Sequence, residues 1–263
     1  MRGRGTGCAA VLVMLLAGCG NGGDGAPGEG AGKRPSAATG ADGSVPGADG
    51  SVPDVAASAP GVDGSADPAK LFTDAELGSA LLPPEAIGKH AKANEISLGL
   101  FDRHFGGGDW GACAAGRDAR GELIRMTGAS AERTVRPDPA ATGDGNPYVF
   151  ERLVSMPAAR AGRYLELRRA LHESCARVTV DTEAAPVVEH HEARPLPELG
   201  DEAFLETTRT TGDDEHDGTP HYEVELRVGG VLVTVGAGTD RALTLSSAAA
   251  AAQRVRKDLY GGS

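Results

Sequence analysis

The sequence is poor in aromatic side chains, in basic residues and in long apolar segments. Aromatic residues make up 4% of its 263 residues, whereas 39 glycines and 16 prolines suggest that part of the chain does not pack into a core. Lys and Arg number 26 against 37 Asp and Glu, a formal net charge of −11. This acidic balance argues against a nucleic-acid partner, because phosphate contacts need a basic face. No segment reaches the roughly 20 apolar residues that a membrane-spanning helix needs.

Common catalytic motifs are also missing. Residues 128–132, GASAE, lack the final Gly of a nucleophile elbow. The Gly run 106–108 is not followed by the Gly-Lys-Ser/Thr of a phosphate loop. His172-Glu173 is followed by Ala176, where a zinc-protease helix would place its second His. We therefore predict a protein that is not an enzyme, with no catalytic residue, no cofactor and no metal.

What is present begins with an export signal in residues 1–19. Arg2 and Arg4 precede a short apolar run from Cys8 to Leu16, and small residues follow, as in a secretory signal. The sequence LAGC, which ends at Cys19, resembles the lipobox of bacterial lipoproteins. That resemblance implies acylation of Cys19, including palmitate, and cleavage just before it. An ordinary secretory signal with an incidental Cys19 is the alternative.

Residues 20–69 are predicted to form a disordered tether. They contain no aromatic residue and no Leu, Ile or Met, and a near-repeat, ADGSVPG then ADGSVPD, fills residues 41–54. Such a segment cannot bury enough apolar surface to offset its conformational entropy. With the lipid at Cys19, the tether would hold a folded domain at the outer face of the cytoplasmic membrane.

Residues 70–263 are predicted to form one folded α+β domain, a twisted antiparallel sheet packed by helices. A capping box at Thr73–Glu76 starts a first helix, and 158–175 has apolar residues at helical spacing. The clearest strand signal is 221–228, which a Gly-Gly turn joins to 231–235 as a hairpin. Further strands are predicted at 148–156, 177–182, 187–192 and 203–210, and a last helix at 245–260, where Ser246-Ser247 would provide the cap.

Only Cys113 and Cys175 remain in the exported domain once Cys8 is cleaved off and Cys19 is acylated. An oxidising compartment favours a disulfide between them, and Cys175 lies on the apolar stripe of its helix. The bridge would close a loop of about 63 residues, which chain-entropy arguments value at roughly 4 kcal/mol. Two separate buried thiols are the alternative.

Histidines and the single Trp are the remaining candidate site residues. His190 and His191 lie in a predicted strand, and a His-containing acidic segment spans 213–217. Adjacent strand residues face opposite sides, so His190 and His191 cannot both ligate one ion, and we interpret them as surface imidazoles. Trp110 either packs over the core, which we favour, or forms a ligand contact.

The order of these features resembles a known family. Seven features occur in this order along the chain: a lipobox, a tether, LFTDAEL at 71–77, a first Cys, an Ala/Arg-rich helix ending at Cys175, the turn LGDEA at 199–203 and a Val-rich hairpin. This arrangement is similar to actinobacterial lipoproteins with a sensor-type domain, resembling the extracellular domain of the PknH-like receptor kinases. The resemblance implies an α+β domain with a cleft that binds an unknown extracellular ligand. This sequence differs from those receptor kinases in two ways: it has one candidate disulfide where their extracellular domain has two, and it has no kinase.

Three functions therefore compete. The first is a membrane-anchored, non-enzymatic ligand-binding or sensing domain whose ligand-binding residues the sequence does not specify. The second is an envelope protein–protein interaction module without a small ligand. A metal-dependent hydrolase is the third, and it would need three ligands around a common point.

Overall fold

A computed structural model describes residues 66–100, 110–137, 148–182, 185–212 and 218–261. The predicted signal peptide, Cys19 and residues 20–65 of the predicted tether lie outside these ranges. Residues 66–69, which we assigned to the tether, already belong to the folded body. The Pro68 carbonyl accepts a hydrogen bond of 3.4 Å from the Ala158 amide, at the start of a helix of the folded domain.

The described residues form five α-helices and nine strands. The helices are α1 (Asp74–Ala80), α2 (Pro84–Ile87), α3 (Arg117–Leu123), α4 (Ala158–Ser174) and α5 (Arg241–Val255), which continues into a π-helical turn, Arg256–Tyr260. The strands are β1 (Lys92–Ala93), β2 (Ser97–Leu98), β3 (Ala129–Arg136), β4 (Val149–Ser155), β5 (Arg177–Val180), β6 (Val187–Pro195), β7 (Glu202–Thr211), β8 (His221–Val228) and β9 (Val231–Gly236). None of these helices has the length and apolarity that a transmembrane span requires.

All strand pairs are antiparallel and belong to one sheet of order β1-β3-β4-β9-β8-β7-β6-β5, with β2 beside β3. The predicted α+β class is thereby confirmed. The hairpin β8–β9 turns at Gly229-Gly230, with Val228 opposite Val231, as predicted. Gly229 has a φ of +58°, the left-handed conformation that a two-residue turn requires and that glycine adopts without strain.

One face of the sheet is apolar and is covered by α1 and α5. Alternate residues of β8 and β9, from Val224 to Val235, have exposed fractions of 0–1% and pack against Ala248 and Val255 of α5. The capping box holds the start of α1, since the Thr73 amide donates to Glu76 Oε2 at 2.8 Å. This face accounts for the period-two pattern visible in the sequence.

The opposite face is covered by α4, with α3 packed beside it. The Cys113–Cys175 disulfide is present, with Cα atoms 6.0 Å apart, and it attaches the segment after residue 110 to the end of α4. A Cβ at Gly116 would lie 2.6 Å from Leu171 Cδ2 and 2.7 Å from Cys175 Sγ, so a larger residue there would have to displace these side chains. The disulfide therefore helps to hold the 110–116 segment against the helix.

Some sequence-based elements need correction. Helix α5 begins at Arg241, not near Leu245, because the Asp240 carboxylate accepts from the Leu243 amide and acts as the N-cap in place of Ser246-Ser247. Helix α3 and strand β3 were not predicted. Strand β3 reads ASAERTVR and carries charges on a partly covered face, so its alternation is weak.

Candidate functional site

The face of the sheet under α4 has an unusual content of ionisable side chains. Phe204, Leu232 and Val154 form apolar contacts at one end of this face. On the same face lie Glu206, two residues along β7 from Phe204, and Glu225 of β8, which pairs with Phe204; their exposed fractions are 3% and 1%. Because α4 covers these strands, positions that alternate outward from the apolar face are buried as well.

Arg168 of α4 supplies the countercharge for these carboxylates and is itself fully buried. Its Nη2 donates to both oxygens of Glu206 at 2.6 and 2.7 Å, and its Nε lies 3.3 Å from Glu225 Oε1. Tyr164 donates a hydrogen bond of 3.2 Å to Glu225, and His172 Nε2 lies 2.8 Å from Glu206 Oε1. We call Arg168, Glu206 and Glu225 the arginine cluster. It contains one guanidinium for two carboxyl groups.

With one guanidinium for several carboxyl groups, the pKa values of these carboxyl groups shift in different directions. Burial would raise the pKa of Glu206, but Arg168 and His172 together hold it below its usual value. Burial raises the pKa of Glu225 to about 7, although Arg168 opposes the shift. Neighbouring Glu223 reaches a pKa of about 8 because of burial and the charges of Glu206 and Glu225. Arg168 therefore neutralises Glu206 and leaves two carboxyl groups that favour the protonated form near neutral pH.

Trp110 and two histidines extend the buried network towards β6. The Trp110 ring centroid lies 5.1 Å from that of His172 and 4.2 Å from that of His191. His191 Nε2 is 3.2 Å from Glu189 Oε2, and its Nδ1 is 3.4 Å from the Thr208 hydroxyl. Trp110 is buried, as we favoured, and is not exposed for a partner.

Beyond this network the α4-side face of the sheet opens into a cleft of about 450 Å³. Strands β4, β6, β7, β8 and β9 all contribute to its walls and floor. Among the described residues, those with carboxyl groups in its lining are Glu189, Glu206 and Glu223, and its aromatic side chains include Tyr148 and Phe150. The volume lies in the range of small-molecule sites, which are concave and carry a few placed polar groups.

The structure separates the two histidines that the sequence places side by side. His191 faces α4, whereas His190 Nε2 lies 3.2 Å from Thr211 Oγ1 on the opposite face. Our interpretation of both as surface imidazoles is wrong for His191, which is 5% exposed because Trp110 covers it. The predicted acidic segment 213–217 lies outside the described residues. Within the described ranges, no three His, Cys, Asp or Glu side chains are arranged to hold a metal ion.

The arginine and the carboxyl groups of this site were not predicted from the sequence, and His172 was considered only as part of a zinc motif. Arg168 and His172 lie on the buried side of α4, but a search for an apolar stripe passes over charged positions. Glu206, Glu223 and Glu225 have the alternation of a solvent-facing strand surface. Two features of the sequence together could have indicated a buried ion pair. A helix carries an Arg on its apolar side, and two strands carry Glu at the positions that alternate with apolar residues.

Comparisons with known proteins do not place the chain in a family. No protein-family model matches it, and no curated protein does. The candidate site consequently depends on the geometry described above.

Replacing Arg168 with Met should strongly destabilise the fold. Glu206 and Glu225 would lose their countercharge in a buried site, and breaking a buried ion pair costs about 3–5 kcal/mol. Urea unfolding at pH 7, followed by circular dichroism, measures the change. The matched control is Arg169→Met, since neighbouring Arg169 is 35% exposed and pairs with Glu202; a loss of at most about 1 kcal/mol is expected there. Equal losses of stability for the two variants would contradict the assignment.

Adding Glu206→Gln and Glu225→Gln to Arg168→Met should restore much of the lost stability.

Stability should fall as the pH rises from about 5 to about 8. A carboxyl group whose pKa is higher in the folded chain stabilises the fold below its unfolded value of about 4.5. That contribution disappears as the pH rises through the folded pKa values, about 7 for Glu225 and about 8 for Glu223. Glu151 of β4, whose pKa burial also raises to about 7, acts in the same way. Glu206, whose pKa is lowered, contributes to the pH dependence of stability only at lower pH.

Glu223→Gln should remove its share of this dependence. We expect the variant to match the wild type near pH 5 and to exceed its stability at pH 8 by about 2–4 kcal/mol, since each pKa unit corresponds to about 1.4 kcal/mol. Urea midpoints at four pH values provide the measurement. Glu166→Gln, at a side chain that is 58% exposed, should leave the profile unchanged. An identical profile for Glu223→Gln would refute the raised pKa.

Proposed function

We propose that this chain is a lipid-anchored binding protein that presents a non-enzymatic ligand-binding or sensing domain at the outer face of the cytoplasmic membrane. The observation that carries the binding part is the cleft of about 450 Å³ on the α4 side of the sheet. The lipobox at Cys19, the tether composition and the resemblance to PknH-like sensor domains support the anchored, extracellular part.

Three features favour ligand binding at this cleft. Its floor consists of hydrogen-bonded strands, which hold side chains more rigidly than loops do. Glu206 at its base is fixed by Arg168 and His172. Gly236 leaves space above the strand, since a Cβ there would have no contact closer than 3.4 Å. A rigid concave surface with fixed polar groups suits a small molecule better than a flat protein partner.

A second candidate function, the envelope interaction module, is favoured by a different surface. Two apolar side chains are exposed at the edge of the sheet: Leu98 of strand β2 is 47% exposed, and Ile96, just before that strand, is 39% exposed. Exposed apolar residues at a sheet edge suit a protein partner. This candidate uses none of the cleft residues, so variants in the cleft distinguish the two.

Native mass spectrometry of the chain purified from the envelope should detect a noncovalent adduct. Gly236→Leu should remove the adduct, because the new side chain would project into the cleft without a backbone clash. Gly162→Leu is the matched control, since a Cβ at Gly162 meets no atom within 4 Å. A bare wild-type chain, or an adduct that Gly236→Leu retains, would count against binding in the cleft.

Metabolic labelling with an alkyne-tagged palmitate should modify the protein at Cys19. Cys19→Ser should lose the label and leave the membrane fraction, because the acyl chains provide the anchor. Cys8→Ser replaces the other Cys of the signal region and should keep the label. Label on Cys19→Ser, or a wild type without label, would contradict the anchor.

A further inference from the structure

The carboxyl groups of Glu206 and Glu223, which both line the cleft, differ in their ion pairing with the described residues. Glu206 is neutralised by Arg168, and Arg152 of β4 forms its ion pair with Glu132 at 3.0 Å. Glu223 lines the cleft, and it makes no ion pair within the part of the chain that the structure describes. Its Oε1 has almost no accessible surface and accepts no hydrogen bond from a described residue. A ligand in the cleft would therefore meet the other oxygen of this carboxyl group, Oε2, which lies on the side of Gly236.

Aromatic rings occupy the wall of the cleft on the β4 side. Tyr148 is 51% exposed, and the ring of Phe150 lies on the same side of β4. The guanidinium of Arg152 already lies 4.9 Å from the centre of the Phe150 ring, the arrangement of a cation–π contact. Ring faces attract cations without coordinating them, so this wall suits an organic cation better than a bare metal ion.

We propose that the cleft binds an organic cation, an amine or ammonium group that approaches the Glu223 carboxyl group beside the rings of Tyr148 and Phe150. This assignment rests on the proposed ligand-binding function and gives the ligand its chemical class. Two independent observations favour positive charge on the ligand: Glu223 makes no ion pair with a described residue, and aromatic rings form one wall of the cleft. The volume of about 450 Å³ leaves room for an organic body attached to that charge.

Binding of such a cation should release a proton. Of the described residues, four place a charge near Glu223: Glu206 on β7, Glu225 on its own strand, Arg168 on α4 and Arg152 on β4. The two carboxyl groups and burial favour the protonated form of Glu223, whereas a cation in the cleft favours the ionised form. Affinity for the cation should therefore increase with pH over the range in which Glu223 ionises.

The test uses the full exported chain, two cationic probes and one neutral probe. Choline and butylamine supply the cations, and 3,3-dimethylbutan-1-ol is the neutral isostere of choline. Isothermal titration calorimetry at pH 6 and pH 8.5, in buffers of different ionisation enthalpy, gives both the affinity and the protons released. We expect at least one cation to bind at least tenfold more tightly than the alcohol, and at least tenfold more tightly at pH 8.5 than at pH 6.

Variants locate the binding site. Glu223→Gln should weaken cation binding at least tenfold and abolish proton release, and Tyr148→Ala, at a half-exposed ring, should weaken it severalfold. Glu166→Gln, whose side chain pairs with Arg163 away from the cleft, is the control and should bind as the wild type does. Cation binding that Glu223→Gln leaves intact, or equal binding of cations and alcohol, would overturn the proposal.

The outcomes separate this proposal from the proposed function. A neutral or anionic adduct that Gly236→Leu removes would preserve the binding function and overturn the cationic class. Absence of both an adduct and probe binding would overturn both.

Discussion

The α4-side face of the sheet depends on the ion pairs that Arg168 forms with Glu206 and Glu225. A sheet covered by helices on both sides normally buries apolar residues on both faces, but here β7 and β8 place Glu206 and Glu225 under α4. Those carboxyl groups can be buried only because α4 inserts a guanidinium between them. The position of α4 along the sheet is therefore determined by a charge contact as well as by apolar packing. Where α4 no longer covers the sheet, the cleft begins.

This arrangement links stability to the candidate site. Arg168 neutralises Glu206, which is both the structural partner of α4 and part of the floor of the cleft. One guanidinium cannot neutralise all the neighbouring carboxyl groups, so Glu225 and Glu223 retain raised pKa values. The same shortage of positive charge that lowers stability at high pH gives the cleft its attraction for a cation. Functional sites often keep such locally unfavourable groups.

The sequence predicted the apolar half of this fold and not the charged half. The hairpin β8–β9, helix α4 and the Cys113–Cys175 bridge follow from local patterns of apolar residues, turn glycines and cysteines. The role of Glu225 depends on whether a helix covers its side of the sheet. That is a tertiary property, and the alternation of Val and Glu in β8 is the same in either case. His191 was misread for the same reason, since its cover comes from Trp110, 81 positions away in the chain. The anchor at Cys19 stays a prediction.

Trp110 is the single tryptophan of the chain, and it lies against the rings of His172 and His191 beside the arginine cluster. Because this indole is buried and packs against both rings, its fluorescence depends on how they are arranged around it. The protein consequently has an intrinsic optical reporter at the base of α4. Its signal needs no label and, with excitation at wavelengths that tyrosine does not absorb, comes from one position, so its changes can be assigned to the surroundings of Trp110.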